Sequence, residues 1–199
     1  VGIDDLPEYK REKMRQEMPG YTDLFKGKWC SGKKSDEPYE ISSLMGAMYF
    51  TSRSWYNHIG GFDTTVGDRY RGHRVWGSLE SYLSIKSWLC GGNLLLHPDI
   101  QAGHEFSRED KLHRYRKGAR STRDMWWNKC FINETMVLDP VLREKIYNYV
   151  TPELNYNYAR NDIKKNYSLV EQVREDNKGR FTRDLQWLMD RFGYEMRTK

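Results

Sequence analysis

Trp76-Gly77-Ser78-Leu79-Glu80-Ser81-Tyr82-Leu83-Ser84-Ile85-Lys86-Ser87-Trp88-Leu89-Cys90-Gly91-Gly92 is the stretch whose reading decides the fold. Leu79, Tyr82, Leu83 and Leu89 fall at helical spacing, and Ile85 and Trp88 widen the apolar stripe. The pattern predicts a helix over Ser78–Cys90, stopped by Gly91-Gly92 because glycine readily takes the left-handed conformation that ends helices. Glu80, Ser84 and Ser87 share the side opposite the stripe.

Downstream, Asn93 to His97 and Ile100 to His104 read as two short strands separated by Pro98-Asp99. Upstream, the polar, Arg- and Gly-rich run from Asp63 to Arg74 is a loop. Ser54 to Ile59 is a brief helix ended by Gly60-Gly61, and Leu44 to Thr51 is a strand containing a Gly46-Ala47 step. Residues 20–43 read as a long loop, preceded by a short exposed helix over Pro7–Met18. Beyond the decisive stretch, a helix from about Ser121 to Phe131 carries Trp126 and Trp127. Helices over Pro140–Tyr149, Ser168–Asp176 and Thr182–Phe192 follow, joined by Tyr/Asn-rich loops. The alternation of helices and strands fits a mixed α/β domain better than an all-helical one.

Composition narrows the class further. The 199 residues are long enough for a real core, and 28 aromatics, 14% of the chain, argue against disorder. No apolar run approaches the roughly 18 residues of a membrane span, and no signal-like start is present, so a cytoplasmic location is expected. Cys30, Cys90 and Cys130 are far apart and odd in number, which predicts free thiols in a reducing compartment rather than a structural zinc site. The sequons at Asn133 and Asn166 are read as chance matches. Arg108 to Arg123 holds seven Lys/Arg and two acids; its net charge of +5 equals that of the whole chain, so its partner should be anionic.

Five pieces in order now form a pattern. They are Met45-Gly46-Ala47-Met48-Tyr49, Gly60-Gly61-Phe62-Asp63, Trp76-Gly77-Ser78-Leu79-Glu80, Trp88-Leu89-Cys90-Gly91-Gly92 and Gly103-His104-Glu105-Phe106. Together they resemble the second half of a GT-A nucleotide-sugar glycosyltransferase, nearest to the polypeptide N-acetylgalactosaminyltransferases and family-two enzymes. The resemblance covers roughly residues 40–135. It implies an α/β, GT-A-like fold: the acceptor-side half of a Rossmann-like nucleotide-diphospho-sugar transferase domain over residues 1–135. This includes an active-site loop at 106–120, with residues 136–199 as a helical C-terminal extension.

The implied chemistry moves a sugar from a nucleotide-diphosphate sugar to a hydroxyl of a protein, a glycan or a modified DNA base. Breaking the glycosidic bond builds charge on the diphosphate, which Mn²⁺ or Mg²⁺ neutralises. The resemblance makes His104 a metal ligand; as a bare residue it would equally end a strand and bond a neighbour. Leu79 occupies the position that holds Glu in the transferases most like this chain, and Glu80, one residue later, stands where inverting relatives hold the acceptor-deprotonating Asp, so it is a catalytic base or an acceptor-orienting group, against a solvated Glu favoured by the helix dipole. Gly46 and Ala47 match the small residues that let backbone approach the donor sugar, and Trp76 and Gly77 complete the substrate-binding set. Arg108 and Arg114 lie in the loop that closes over the diphosphate. Asp63 matches the Asp closing a Gly-x-x-Asp turn, a structural position.

Two departures accompany the resemblance. No D-x-D or D-x-H occurs in the sequence, and the loop between Asp63 and Trp76 is long, holding Arg69, Arg71, His73 and Arg74. With Val1 in place of Met, the expectation is that an N-terminal nucleotide-binding half is supplied in cis or in trans. The rival class is a non-catalytic nucleic-acid-binding module that uses the basic stretch 108–123, with Tyr115, Trp126 and Trp127 available to stack on bases.

Overall fold

Aromatic and aliphatic residues recur at helical spacing through most of the second half of the chain, and helices are what form there. The computed structural model describes residues 35–44, 48–63, 77–100, 119–149 and 154–193. Among them, in chain order, are β1 (Tyr39–Glu40), α1 (Arg53–His58), α2 (Leu79–Leu89) and β2 (Leu95–Leu96). The remaining elements are α3 (Ala119–Met136), α4 (Pro140–Tyr149), α5 (Leu154–Lys165), α6 (Tyr167–Arg180) and α7 (Leu185–Phe192). The expected helix over Pro7–Met18, the Gly46-Ala47 step, the basic stretch up to Gly118 and most of the strand over Ile100–His104 lie outside the described residues.

The strands differ from expectation. β1 pairs antiparallel with β2 in the register Tyr39 with Leu96 and Glu40 with Leu95. Ile41 extends the pair by donating its N–H to the Leu94 carbonyl at 3.0 Å. A strand therefore forms inside the stretch read as a loop, while Leu44 and residues 48–51 of the expected strand are irregular. The reason is local. The Leu44 N–H bonds the Ser84 hydroxyl at 2.8 Å rather than a neighbouring strand. The described residues are thus mainly helical with one short antiparallel pair.

α3 organises the helices. Its Trp126, Trp127, Cys130, Phe131, Ile132 and Met136 are buried, in one cluster with Tyr82 and Trp88 of α2, Tyr156 of α5 and Val170 of α6. α3 runs five residues beyond Phe131 because its late polar groups find buried partners. The Asn133 side-chain amide donates to the Arg143 carbonyl, and the Asn177 amide to the Thr135 carbonyl. Asn133 is fully buried, in keeping with its sequon being a chance match. Glu134 forms ion pairs with Arg174 at 2.7 Å and Arg143 at 3.6 Å, fastening α6 and α4 to the end of α3.

α5 corrects the reading of a Tyr/Asn-rich loop. Its sequence has low helix propensity, but Tyr156, Ala159 and Ile163 share one buried face. Burial against α3 outweighs propensity there. Trp126 meets Tyr156 edge-on, and the Tyr156 hydroxyl donates to the Tyr147 carbonyl.

Burial also holds protons. It pushes the Tyr82 and Tyr147 phenols well above their usual 10.0 and brings Tyr156 to about 12. The Cys130 thiol rises from 9.0 to about 12 for the same reason. The unfolded chain releases these protons first, so their stabilisation is complete below about pH 9 and is lost as pH rises through about 12. Tyr49 and Cys90 are raised by burial as well, whereas Lys86, whose pKa burial lowers, works in the opposite direction, one group against six. Urea midpoints are expected to fall steadily from pH 8.5 to 11.5, with tyrosine absorbance showing phenols that ionise only on unfolding. A midpoint independent of pH over that range would refute this.

Candidate active site

The start of α2 is built by backbone that only certain residues tolerate. Gly77 (φ 84) and Ser78 (φ 61) both lie in the left-handed region, turning the chain sharply into the helix. Asn128 of α3 donates its side-chain amide to the Gly77 carbonyl at 2.8 Å, docking that turn on α3. A Cβ on Gly77 would come within 3.1 Å of the Met125 side chain. Glu80 follows in the first turn, where its charge complements the helix dipole.

The side of α2 that carries Glu80 does not face water below the first turn. Ser84 and Ser87 are buried there. The Ser84 hydroxyl donates to the Glu80 carbonyl and accepts the Leu44 N–H, so the Ser43–Leu44 segment lies along this face. Tyr49 packs against the small cluster of Ile59, Leu83 and Cys90, and its phenol is raised by burial and then by the charge of Glu80. The half-buried carboxylate and this phenol are therefore electrostatic neighbours.

The other side of α2 holds a buried polar cluster. Lys86 is fully buried, and its ammonium donates to Asp63 Oδ2 at 2.5 Å and to the Gly61 carbonyl at 3.2 Å. The Tyr82 hydroxyl donates to the same Asp63 oxygen. The structural role implied for Asp63 is thus seen directly, closing the Gly60–Asp63 turn onto α2. At the far end of the helix, the Leu89 carbonyl accepts the N–H groups of Thr182 and Arg183. Arg183 Nη1 donates to the Gly92 carbonyl at 3.0 Å, and its guanidinium lies 4.2 Å from the centre of the Trp187 ring.

Of the predicted site residues, Glu80 and Gly77 are described, and they meet at one helix start. Gly46, Ala47, Trp76, His104, Arg108 and Arg114 lie outside the described residues. Among the described residues no three His, Cys, Asp or Glu side chains converge to hold a metal ion. Cys90 and Cys130 are free and buried, and Cys30 lies outside the described residues. A shallow cavity of about 280 Å³ lined by Tyr56, Asn57, Gly60, Gly61 and Phe62 includes none of the predicted site residues.

Two of the rival's three stacking residues are corrected, and Tyr115 lies outside the described residues. Trp126 is 7% exposed and Trp127 0%, so neither offers a face to a base; both serve the core. Sequence reading also missed Tyr49 as a neighbour of Glu80, Asn128 as the anchor of Gly77, and Lys86 as the partner of Asp63. The i, i+4 spacing of Tyr82 and Lys86 was the one signal present. Asn128 lies 51 residues from Gly77, with no local pattern linking them.

Comparison with known proteins defines a class first: over part of its length, the chain is a distant relative of glycosyltransferases. The particular relatives are polypeptide N-acetylgalactosaminyltransferases. The chain is 33% identical over 69 residues to number 8 of Drosophila melanogaster, covering 35% of this chain and 10% of that protein. It is 32% identical over 88 residues to number 6 of Homo sapiens, covering 43% and 13%. Against number 16 of Mus musculus it is 25% identical over 100 residues, covering 47% and 17%. The chain therefore spans less than a fifth of the length of these curated relatives. No family model matches it, and no solved structure matches it. Among the described residues no helix is long and apolar enough to cross a membrane.

Two glycines test how the helix start is held. Gly77→Ala is expected to destabilise the chain by about 1–2 kcal/mol from the left-handed backbone alone. Gly179→Ala is expected to stabilise it by about 0.5–1 kcal/mol, because that site in α6 has nothing within 4 Å of an added Cβ. Urea unfolding of both variants checks the contrast; shifts of the same sign would contradict the local geometry.

Proposed function

We propose that this chain carries the acceptor side of a glycosyltransferase active site. The observation that carries the reading is the coincidence of two features: partial similarity to N-acetylgalactosaminyltransferases, and a half-buried carboxylate, Glu80, held at the start of a helix docked on both sides. The donor is a nucleotide-diphosphate sugar. The acceptor is a hydroxyl, with the side chain of a polypeptide favoured by the names of the relatives. The GT-A-like architecture is completed by a nucleotide-binding half supplied in cis or in trans.

Glu80 takes the acceptor's hydroxyl proton as the acceptor oxygen bonds the anomeric carbon. The bond from that carbon to the diphosphate breaks, and the nucleoside diphosphate leaves with the electron pair. Glu80 suits this work because solvent is only partly excluded from it. Gly46 and Ala47 are proposed to allow the backbone near the donor sugar, and Trp76 and Gly77 to take part in substrate binding. Arg108 and Arg114 bring positive charge to the diphosphate from the loop at 106–120. A divalent ion, Mn²⁺ or Mg²⁺, would supply charge neutralisation at the leaving group. His104 is its proposed ligand from this chain, while the described residues contain no further ligand set.

The test is a nucleotide-sugar screen on the native polypeptide that carries this sequence, reading released nucleoside diphosphate with Mn²⁺ and a Ser/Thr peptide. Glu80→Gln is expected to lower transfer by at least about 10²-fold, the usual worth of a general base, with donor affinity nearly unchanged. Equal loss of donor affinity would mean damage to the helix start instead. In the same assay, His104→Ala is expected to weaken the Mn²⁺ dependence of donor binding by about 10- to 100-fold. An unchanged Mn²⁺ titration would remove His104 from the site. Binding of duplex DNA at low salt without any transfer would favour the nucleic-acid module.

A further inference from the structure

α2 carries Glu80 on one side and a buried ion pair on the other. At 3.6 residues per turn, Tyr82 and Lys86 lie roughly 200° and 240° around the axis from Glu80. Both reach Asp63, whose carboxylate is nearly as buried as the fully buried Lys86 side chain that pairs with it. Asp63 itself sits at φ 52, a conformation that a non-glycine residue holds when its surroundings over-determine it. Two contacts from Lys86, to Asp63 and to the Gly61 carbonyl, and one from Tyr82 supply that constraint. Arg180 comes up behind the turn, its Cζ 3.2 Å from where a Cβ on Gly60 would stand.

Stability is a weak reason for such a pair. Buried ion pairs exchanged for apolar residues of matching volume are often neutral or stabilising. What directed contacts add is rotational register, which apolar packing specifies less sharply. We propose that the Lys86–Asp63 pair is a positioning device that locks the rotation of α2 and so sets the Glu80 carboxylate against the acceptor. This rests on the transferase reading above. A side-chain tip stands about 5–6 Å from a helix axis, so a rotation of about 10° displaces it by about 1 Å. A misplacement of that size costs up to about 10²-fold in rate.

The test compares Lys86→Met and the double variant Asp63→Asn/Lys86→Met with the wild type, in the native full-length polypeptide. UDP-N-acetylgalactosamine with Mn²⁺ is the donor and a Ser/Thr peptide the acceptor; kcat, both KM values and the thermal midpoint are read. The single variant is expected to lower the midpoint by leaving the buried Asp63 carboxylate without its ammonium partner, and the double variant to recover it. Both are expected to lose about 10- to 100-fold in kcat, with donor KM within about twofold of wild type. A double variant that regains kcat together with its midpoint makes the pair a stability element and overturns the positioning role. Unchanged kcat in both variants, with the wild type active, likewise overturns the role alone. A wild-type polypeptide that transfers no sugar overturns the transferase reading, and this role falls with it.

Discussion

Everything described here depends on α2 being buried along its length. From Ser81 to Leu89 every residue is buried, including three serines and a lysine. A helix interior satisfies its own backbone, but buried hydroxyls and an ammonium must find partners or carry a large desolvation cost. The partners come from distant segments: Leu44 for Ser84, and Gly61 with Asp63 for Lys86. The helix ends are met in the same way, by Asn128 at Gly77 and by Thr182 and Arg183 at Leu89. Four separate parts of the chain are thereby organised around one helix of 11 residues.

α3 provides the second layer. Its tryptophans and Phe131 fill the space against α2 and α5, and Tyr82 stacks on Phe131 with ring centres 6.1 Å apart. The two arginines on Glu134 then tie the later helices to the same element. This packing bears on function by subtraction. Trp126 and Trp127, next to a basic stretch, resemble part of a base-stacking platform in the sequence, but they are consumed by the core. Arg123, the last cation of that stretch, instead lies 4.9 Å over the exposed Tyr158 ring.

Similarity to the N-acetylgalactosaminyltransferases singles out Glu80, and the structure gives that residue a setting compatible with the proposed role. The likeness covers part of this chain and less than a fifth of each relative. The setting is local physics: a carboxylate at a helix start, partly shielded, beside a phenol whose proton it helps to hold. A carboxylate in that setting is placed to receive a proton from a hydroxyl brought alongside it.

The helices were legible wherever local signals agreed. Pro140–Tyr149 matches its predicted bounds, and α2 matches within a residue at each end because stripe, first-turn acid and Gly91-Gly92 stop all coincide. The first-turn place of Glu80 was legible for the same reason, while its role rests on the resemblance. What required the tertiary structure was pairing over distance. α5 forms because α3 covers its Tyr156 face, and β1 forms because Leu94–Leu96 lies beside it rather than because of its own composition. Of the strand expected over Leu44–Thr51, Leu44 and residues 48–51 are irregular, and the Leu44 N–H is claimed by Ser84. Local periodicity reports which face of a segment is apolar, so the sequence by itself determined the helices with a clear apolar stripe and the place of Glu80 at the start of one of them. It carries no information on which remote donor meets which buried acceptor, and that choice, which sets α2 in place, was made only when the chain closed around it.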